Sequence, residues 1–177
     1  QISPNIQTAV VSTEDKRFYT HTGVDPIGIG RAAVGFVLNG GNIVGGGSTL
    51  TQQLAKNAYL TLDQTLIRKA KELFLAFEIE SKYTKDEILE MYLNNAYFGS
   101  GVWGVEDASQ KYFGKSASEV SLSEAAVLAG ILKSPSYYNP IDNYEASTDR
   151  RNTVLQLLAD NAFIDQATAD AAMAEDI

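Results

Sequence analysis

The stretch TLDQTLIRKAKELFLAF, residues 61–77, carries the clearest structural signal in the chain, because its apolar side chains recur at the spacing of one helical face. Placed at about 100° per residue, these side chains fall on a single arc. Thr61 and Gln64 have the spacing of a capping box, which predicts the helix start. We therefore predict a helix whose apolar arc belongs to the core, formed by Leu62, Leu66, Ile67, Ala70, Leu73, Phe74 and Phe77.

Other helix starts follow the same local rules. An N-cap residue precedes a proline at two places, and two further capping boxes occur downstream. No alternating run of β-branched residues is long enough to predict a strand. The sequence therefore predicts a mainly α-helical fold in one domain spanning residues 1–177. The predicted starts are Ser3 with Pro4, Asp25 with Pro26, Thr84 with Glu87, and Ser121 with Glu124.

The composition limits the classes of ligand. Fourteen basic against 22 acidic side chains give a net charge of −8, which argues against nucleic acid as a partner. The chain has no cysteine and one histidine, so neither thiolate nor multi-histidine metal sites are expected. No apolar run reaches the roughly 18 residues that a membrane span requires. An anionic ligand would therefore have to be held by a local cationic cluster.

Such a cluster lies on the polar side of the predicted helix, where Arg68, Lys69 and Glu72 share one face. One interpretation is a solvated face, in which the Arg68 and Glu72 pair contributes about 0.2–0.5 kcal/mol. The other is a ligand site. The preceding stretch GGGSTLTQQLAKN, residues 45–57, favours the second, because glycines before a capped helix start present N–H groups to phosphate. Across residues 48–71 the chain carries four cations and one acid, which suits a polyanion.

A second candidate site lies in VVSTEDKRFYTHTGVD, residues 10–25. Acid–base chemistry at a glycosidic carbon requires a pair of carboxylates, and Glu14 with Glu72 would qualify. The alternative is that the charges around Glu14 mark only a helix end. The one histidine, His21, precedes a glycine turn, which is more typical of a structural hydrogen-bonding residue than of a catalytic base.

Five segments resemble, in order, the signatures of the peptidoglycan glycosyltransferases of family 51, found in class A penicillin-binding proteins and monofunctional transglycosylases. The first matches the family pattern at every defining position. Five ordered signatures are far more specific than any one of them alone. The segments are EDKRFYTHTGVD at 14–25, GGSTLTQQLAKN at 46–57, RKAKE at 68–72, KDEILEMYLNNAYFG at 85–99 and RRNTVL at 150–155.

The resemblance implies a lysozyme-like helical domain with a larger lobe and a smaller, membrane-facing lobe. It implies polymerisation of lipid II, a lipid-linked disaccharide-peptide, into β-1,4-linked glycan with inversion at C1 and release of undecaprenyl pyrophosphate. By this resemblance Glu14 would be the general base that deprotonates the acceptor 4-hydroxyl, and Glu72 the second essential carboxylate. Two rival interpretations are a lysozyme-like peptidoglycan hydrolase and a non-catalytic module that binds glycan or lipid.

Further residues take roles from the same resemblance. Glu72 would either position the cationic side chains that bind the leaving group or bind a divalent cation, Mg²⁺ or Mn²⁺. No other cofactor is expected. A set of polar side chains would contact the substrate, and a second set would support the first. The substrate-binding set is Arg17, Ser48, Gln52, Lys56, Arg68 and Lys69, and the supporting set is Asp15, His21, Thr49, Gln53 and Asn57.

The resemblance also predicts the surroundings of the chain. Its partners would be lipid II and the lipid-linked glycan chain, with residues 26–45 at the membrane surface, on the extracytoplasmic face of the bacterial cytoplasmic membrane. The abrupt start at QISPNIQ suggests a fragment of a longer, membrane-anchored protein. Neither Ser-x-x-Lys nor Lys-Thr-Gly occurs in these residues, so a transpeptidase domain would lie elsewhere in the parent chain.

Overall fold

The computed structural model describes residues 2–27, 48–59 and 66–177, apart from the side chains of residues 57–59 and 66–68. The described part consists of α-helices and connecting turns, so the prediction of a mainly helical fold is confirmed. The helices are α1 (Pro4–Glu14), α2 (Leu50–Tyr59), α3 (Leu66–Lys82), α4 (Lys85–Asn95), α5 (Val105–Phe113), α6 (Leu122–Ile131), α7 (Pro135–Tyr138), α8 (Tyr144–Asp160) and α9 (Gln166–Met173).

The chain forms two compact units. The first combines Gln1–Lys16 with Leu93–Ile177, and the second is Arg17–Tyr92. The first unit therefore contains α1 and α5 to α9, the second contains α2 and α3, and α4 runs from one into the other. Within the described ranges, β pairing is limited to an isolated antiparallel bridge between Tyr97 and Trp103 in the first unit.

Helix α6 forms the centre of the first unit. Eight of its ten residues are buried, which is the pattern of a helix surrounded by protein rather than of a surface helix. Helices α1 and α8 both pack against it. Its predicted capping box is confirmed: Ser121 Oγ accepts from the Glu124 N–H at 3.2 Å, and Glu124 Oε1 accepts from the Ser121 N–H at 2.9 Å. Helix α1 thus packs against a largely buried helix.

Two other predicted helix starts are also confirmed. Ser3 Oγ accepts from the Asn5 N–H at 3.2 Å, with a proline at the first helical position of α1. At the start of α4, Glu87 Oε1 accepts from the Thr84 N–H at 2.9 Å and Thr84 Oγ1 accepts from the Glu87 N–H at 3.2 Å. The Thr84 and Glu87 bonds are reciprocal, and all three side-chain bonds satisfy donors that the helix itself leaves unpaired.

Several predictions fall partly or wholly outside the described residues. Asp25 Oδ1 accepts from the Ile27 N–H at 3.1 Å, as an N-cap would, but residues 28–47 are not described. The predicted membrane-facing segment, 26–45, lies almost entirely in that range, and the capping box of Thr61 with Gln64 is likewise outside. Among the helices that the structure describes, none is both long and apolar enough to cross a bilayer.

The predicted core face of α3 is wrong. Phe74 and Phe77 are 64% and 51% exposed, whereas Glu72, Ala76 and Ile79 are buried. The reason is which segments pack against α3. Helix α2 contacts it, and the turn at Gly23 approaches it at Ala76. Packing therefore covers the side of α3 that carries the carboxylate and leaves the phenylalanines outside. Leu62 and the side chains at 66 and 67 lie outside the described residues.

A buried arginine attaches residues 173–175 to the core of the first unit. Arg151 on α8 is 1% exposed. Its Nη1 donates to the Glu175 carbonyl at 2.6 Å and to Ser123 Oγ at 3.0 Å, and its Nη2 donates to the Met173 carbonyl at 2.8 Å. These acceptors are neutral groups, two of them at the carbonyl end of α9, where helix polarity favours a cation.

We expect Arg151→Met to destabilise the fold by about 2–4 kcal/mol, because it leaves buried acceptors without a donor. The free energy of unfolding, measured by urea titration with circular dichroism, checks this value. Lys111→Met, at an exposed lysine of α5, removes the same charge and should change stability by no more than about 0.5 kcal/mol. Equal stability of the two variants would show that the arginine contacts contribute nothing.

Candidate active site

The first unit contains the predicted general base, Glu14, as the last residue of α1. Burial raises the pKa of this carboxyl above its usual value, because desolvation disfavours the charged form. Arg150 and Lys133 act against that shift, and the neighbouring Asp15 adds to it. The carbonyl end of a helix also disfavours a negative charge. A carboxyl with a raised pKa is a more effective proton acceptor near neutral pH than an ordinary glutamate.

Arg150 is held in place by its surroundings. Its guanidinium lies over the Tyr138 ring at 5.9 Å, and its Nε is buried with no hydrogen-bond partner in the part of the chain that the structure describes. Gly130, inside α6, provides the space: a Cβ there would lie 2.8 Å from Arg150 Cγ. Glycine inside a helix costs about 1 kcal/mol relative to alanine. At position 130 the glycine leaves room for Arg150, whose positive charge favours the ionised form of Glu14.

The second unit contains a lysine held by a buried carboxylate. Lys69 Nζ donates to Glu72 Oε1 at 2.8 Å and to Ser48 Oγ at 2.9 Å. The Glu72 side chain is 3% exposed and the Lys69 side chain 44% exposed. We call Ser48, Lys69 and Glu72 the Lys69 site. Because its carboxylate is buried and its lysine side chain is partly exposed, the site can present a positioned cation to an anionic ligand.

The start of α2 lies next to this site in sequence. Gln52 Oε1 accepts from the Thr49 N–H at 2.9 Å, and Thr49 Oγ1 accepts from the Gln52 N–H at 3.1 Å. Thr49 and Gln52 thus form a capping box, and the capped helix start expected after the glycines is present. Both side chains hold the helix start immediately after Ser48, and the contact of Gln52 with substrate stays a prediction.

Arg17, another predicted substrate-binding residue, pairs with an acid in the same unit. Its Nε and Nη2 lie 2.8 Å and 2.7 Å from Asp25 Oδ2. The two-point geometry fixes the plane of the guanidinium and ties the first signature to the next predicted helix start. Arg17 thus has a structural partner, and its contact with substrate stays a prediction.

The remaining predicted residues are distributed over both units. Asp15 is buried directly after α1 in the first unit, and Gln53 Oε1 in the second unit accepts from Tyr92 OH at 3.0 Å. Lys56 is half-buried in the last turn of α2. The side chains of Arg68 and Asn57 lie outside the described residues. Glu14 belongs to one unit and Glu72 to the other, and each site is defined by contacts within its own unit.

The described surroundings of Glu72 offer few ligands for a metal ion. Within residues 2–27, 48–59 and 66–177, no three histidine, aspartate or glutamate side chains converge as ligands for an ion. The Glu72 carboxylate already accepts from Lys69 Nζ. The described residues therefore do not form a ready Mg²⁺ or Mn²⁺ site, which usually needs several oxygen ligands. The divalent cation stays a prediction.

Sequence reasoning missed several residues that belong to these sites. Lys133 lies near Glu14, and Gly130 makes room for Arg150, but no motif marks either role. Outside the two sites, no motif marks the 2.7 Å ion pair between Glu80 and Lys85 in the second unit. The glycine inside the apolar α6 was the one available signal, because that residue is unfavourable in a helix unless something approaches closely.

Comparisons with known proteins identify the family of the chain. The family model described as Transglycosylase matches residues 1–159, so the chain belongs to the transglycosylase family. It is 60% identical over 165 residues to penicillin-binding protein 2a of Streptococcus pneumoniae, with 93% of this chain and 22% of that protein covered. It is 48% identical over 177 residues to penicillin-binding protein 1A of Escherichia coli, with 100% of this chain and 21% of that protein covered.

A solved structure supports the fold class. The crystal structure of penicillin-binding protein 1A from Haemophilus influenzae matches with a TM-score of 0.51 and 46% identity, over 52% of this chain and 14% of that chain. The expected fold class, a mainly helical lysozyme-like domain, is thereby confirmed. The chain spans about a fifth of the length of the curated relatives that it matches.

Proposed function

We propose that this chain is a peptidoglycan glycosyltransferase domain that polymerises lipid II into β-1,4-linked glycan. Support comes from its membership of the transglycosylase family and from its similarity to class A penicillin-binding proteins. The observation that carries the proposal is the partly buried Glu14, whose pKa burial raises at the position where the family resemblance puts the base. Its position at the end of a packed helix suits a group that must hold one orientation.

The proposed reaction begins with proton transfer to Glu14. The carboxylate accepts the proton of the acceptor 4-hydroxyl, and the acceptor oxygen forms a bond to C1 of the lipid-linked glycan. The bond between C1 and the phosphate oxygen breaks, and its electron pair leaves with undecaprenyl pyrophosphate. Attack from the opposite face inverts the α-linkage to β. General-base catalysis of this kind contributes about 10²–10⁴-fold in rate.

The leaving pyrophosphate gathers negative charge as the bond breaks, and a positioned cation is most effective where charge develops. We assign this task to Lys69, because Glu72 and Ser48 fix its ammonium while close to half of the side chain remains exposed. Glu72 then acts by positioning Lys69, the first of the two roles expected for it. Lys56, Arg68, Arg17 and Gln52 would complete the contacts with substrate.

The proposal extends to the surroundings of the chain. Its substrates would be lipid II and the growing lipid-linked glycan, and residues 26–45 would lie at the membrane surface. The relatives are penicillin-binding proteins of which this chain matches about a fifth. We therefore propose a parent chain that also carries a transpeptidase domain and acts on the extracytoplasmic face of the cytoplasmic membrane.

A turnover assay tests the function directly. The chain is incubated in detergent with fluorescent lipid II, and products are separated by gel before and after muramidase digestion. We expect a ladder of polymer that muramidase removes. A chain that leaves lipid II unchanged but shortens purified glycan strands would be a hydrolase, and a chain that binds glycan without either reaction would be the non-catalytic module.

A further inference from the structure

The Arg17–Tyr92 unit contains a second group of charged residues, partly buried, that does not belong to the Lys69 site. Glu80 Oε1 accepts from Lys85 Nζ at 2.7 Å and from Thr51 Oγ1 at 2.8 Å. The Glu80 and Lys85 side chains are 11% and 20% exposed. We call Glu80, Lys85, Thr51 and His21 the Glu80 cluster. Partly buried charges are expensive to desolvate, and the ion pair and hydrogen bonds within the cluster offset part of that cost.

His21 joins the cluster to a tight turn. His21 Nδ1 accepts from the Gly23 N–H at 3.1 Å, and Lys85 Nζ lies 3.3 Å from the same nitrogen. Lys85 also lies over the Phe18 ring at 4.7 Å, a cation–π contact that further fixes the ammonium. Lys85 therefore contacts the same imidazole nitrogen that accepts from the Gly23 N–H.

Gly23 lies between the Glu80 cluster and Thr49. Its φ of +110° is a conformation that side chains other than glycine rarely adopt, and a Cβ there would lie 3.1 Å from both the Ala76 carbonyl and Glu80 Cγ. The turn at Gly23 therefore packs closely against α3 at Ala76 and Glu80. The Gly23 carbonyl accepts from Thr49 Oγ1 at 2.7 Å, a bond between two parts of the chain that are distant in sequence.

Thr49 completes the path to the Lys69 site. It is 1% exposed and caps α2 through Gln52, so its backbone has little freedom. Ser48 precedes it directly, and Ser48 Oγ accepts from Lys69 Nζ. A displacement of Gly23 would move Thr49, and with it the serine that holds the lysine.

We propose that Glu80 and Lys85 are positioning residues, which act through His21, Gly23 and Thr49 to hold Ser48 and Lys69 where the pyrophosphate binds. The expected effect on catalysis rests on the proposed function. The structural link between the Glu80 cluster and the Lys69 site does not. Neither residue touches substrate in this account. Their charges serve to fix one orientation of the turn.

The first test needs no substrate. Glu80→Gln keeps the shape of the side chain and removes its charge. We expect amide hydrogen exchange, measured by NMR, to become at least about tenfold faster at Gly23 and Thr49, with no change in α8. Lys115→Met is the matched control, because it breaks a 2.9 Å ion pair with Glu124 in the other unit. Unchanged exchange at Gly23 and Thr49 would overturn the proposal, whether or not the chain polymerises lipid II.

The second test asks whether the coupling reaches the reaction. The rates are compared at a temperature where every variant is fully folded. Glu80→Gln and Lys85→Met should each lower kcat/KM about 10- to 100-fold, because a small displacement of a group that positions the substrate has an effect of this size. If they act through Lys69, neither substitution should cause a further loss in a Lys69→Met background. An equal loss in both backgrounds would contradict positioning and leave a purely structural role. Polymerisation by the parent chain with no loss in Glu80→Gln would also contradict it.

Discussion

Glu14→Gln should lower glycan polymerisation at least about a hundredfold and at the same time stabilise the folded chain. The amide cannot accept the hydroxyl proton, so turnover should fall by about 10²–10⁴-fold. Stability should rise at neutral pH, because a partly buried carboxylate is desolvated in the folded state. Lipid II turnover and the midpoint of thermal unfolding, measured on the same preparations, check the two effects together.

The pH dependence gives the sign of this stability effect. Burial raises the pKa of Glu14 in the folded state above its value in the unfolded chain. The stability that the protonated group contributes is therefore fully present below the unfolded pKa and is lost as pH rises through the folded one. The advantage of Glu14→Gln should consequently be largest at neutral pH and disappear in acid, where both side chains are neutral.

The same shift predicts the acid limb of activity. The base works only when ionised, so kcat/KM should fall as pH decreases through the raised pKa of Glu14, at a higher pH than an exposed glutamate would give. Glu119→Gln, at an exposed glutamate of the same unit, is the control and should alter neither turnover nor unfolding. Retained turnover in Glu14→Gln, or a stability gain that does not vary with pH, would contradict the assignment of Glu14.

Lys69→Met should lower kcat by about 10²–10³-fold, the usual effect of removing one group that stabilises developing charge. The loss has two causes. The leaving pyrophosphate loses a cation, and the Glu72 carboxylate is left buried without the ammonium that lies 2.8 Å away. Initial rates with fluorescent lipid II, at saturating substrate, measure the effect on kcat.

Lys82→Met is the matched control for this variant. It removes the same charge from an exposed lysine at the other end of α3 and should change kcat less than about twofold, because exposed charges at a distance are screened by salt. A second variant separates the two causes: Lys69→Met with Glu72→Gln removes the unpaired carboxylate as well. The double variant should recover stability but not rate. Full recovery of rate would mean that Lys69 serves only to neutralise Glu72.

Local features of this fold could be predicted from sequence. The capping boxes at the starts of α4 and α6 depend on residues three positions apart, which share a turn whatever the rest of the chain does. The mainly helical fold follows from many such signals together. The family resemblance added the candidate site residues, because its five motifs occur in order along the chain.

Features that depend on distant contacts could not be predicted. Periodicity identified two faces of α3 but not which one meets the rest of the unit, and the exposed Phe74 with the buried Glu72 reversed the expectation. The tuning of Glu14 by Arg150 comes from a helix near the other end of the chain. The link between Lys85 and His21 likewise joins residues far apart in sequence, which no local pattern records.

The central claim is that this chain forms a glycosidic bond with pyrophosphate as the leaving group. The most direct measurement counts both products: undecaprenyl pyrophosphate by mass spectrometry, and new β-1,4 linkages by muramidase digestion of the same reaction. We predict one pyrophosphate lipid released for each linkage formed by the parent chain, and at least about a hundredfold less of both products from Glu14→Gln. Cleavage of finished glycan with no release of undecaprenyl pyrophosphate from lipid II would contradict the claim and identify a hydrolase.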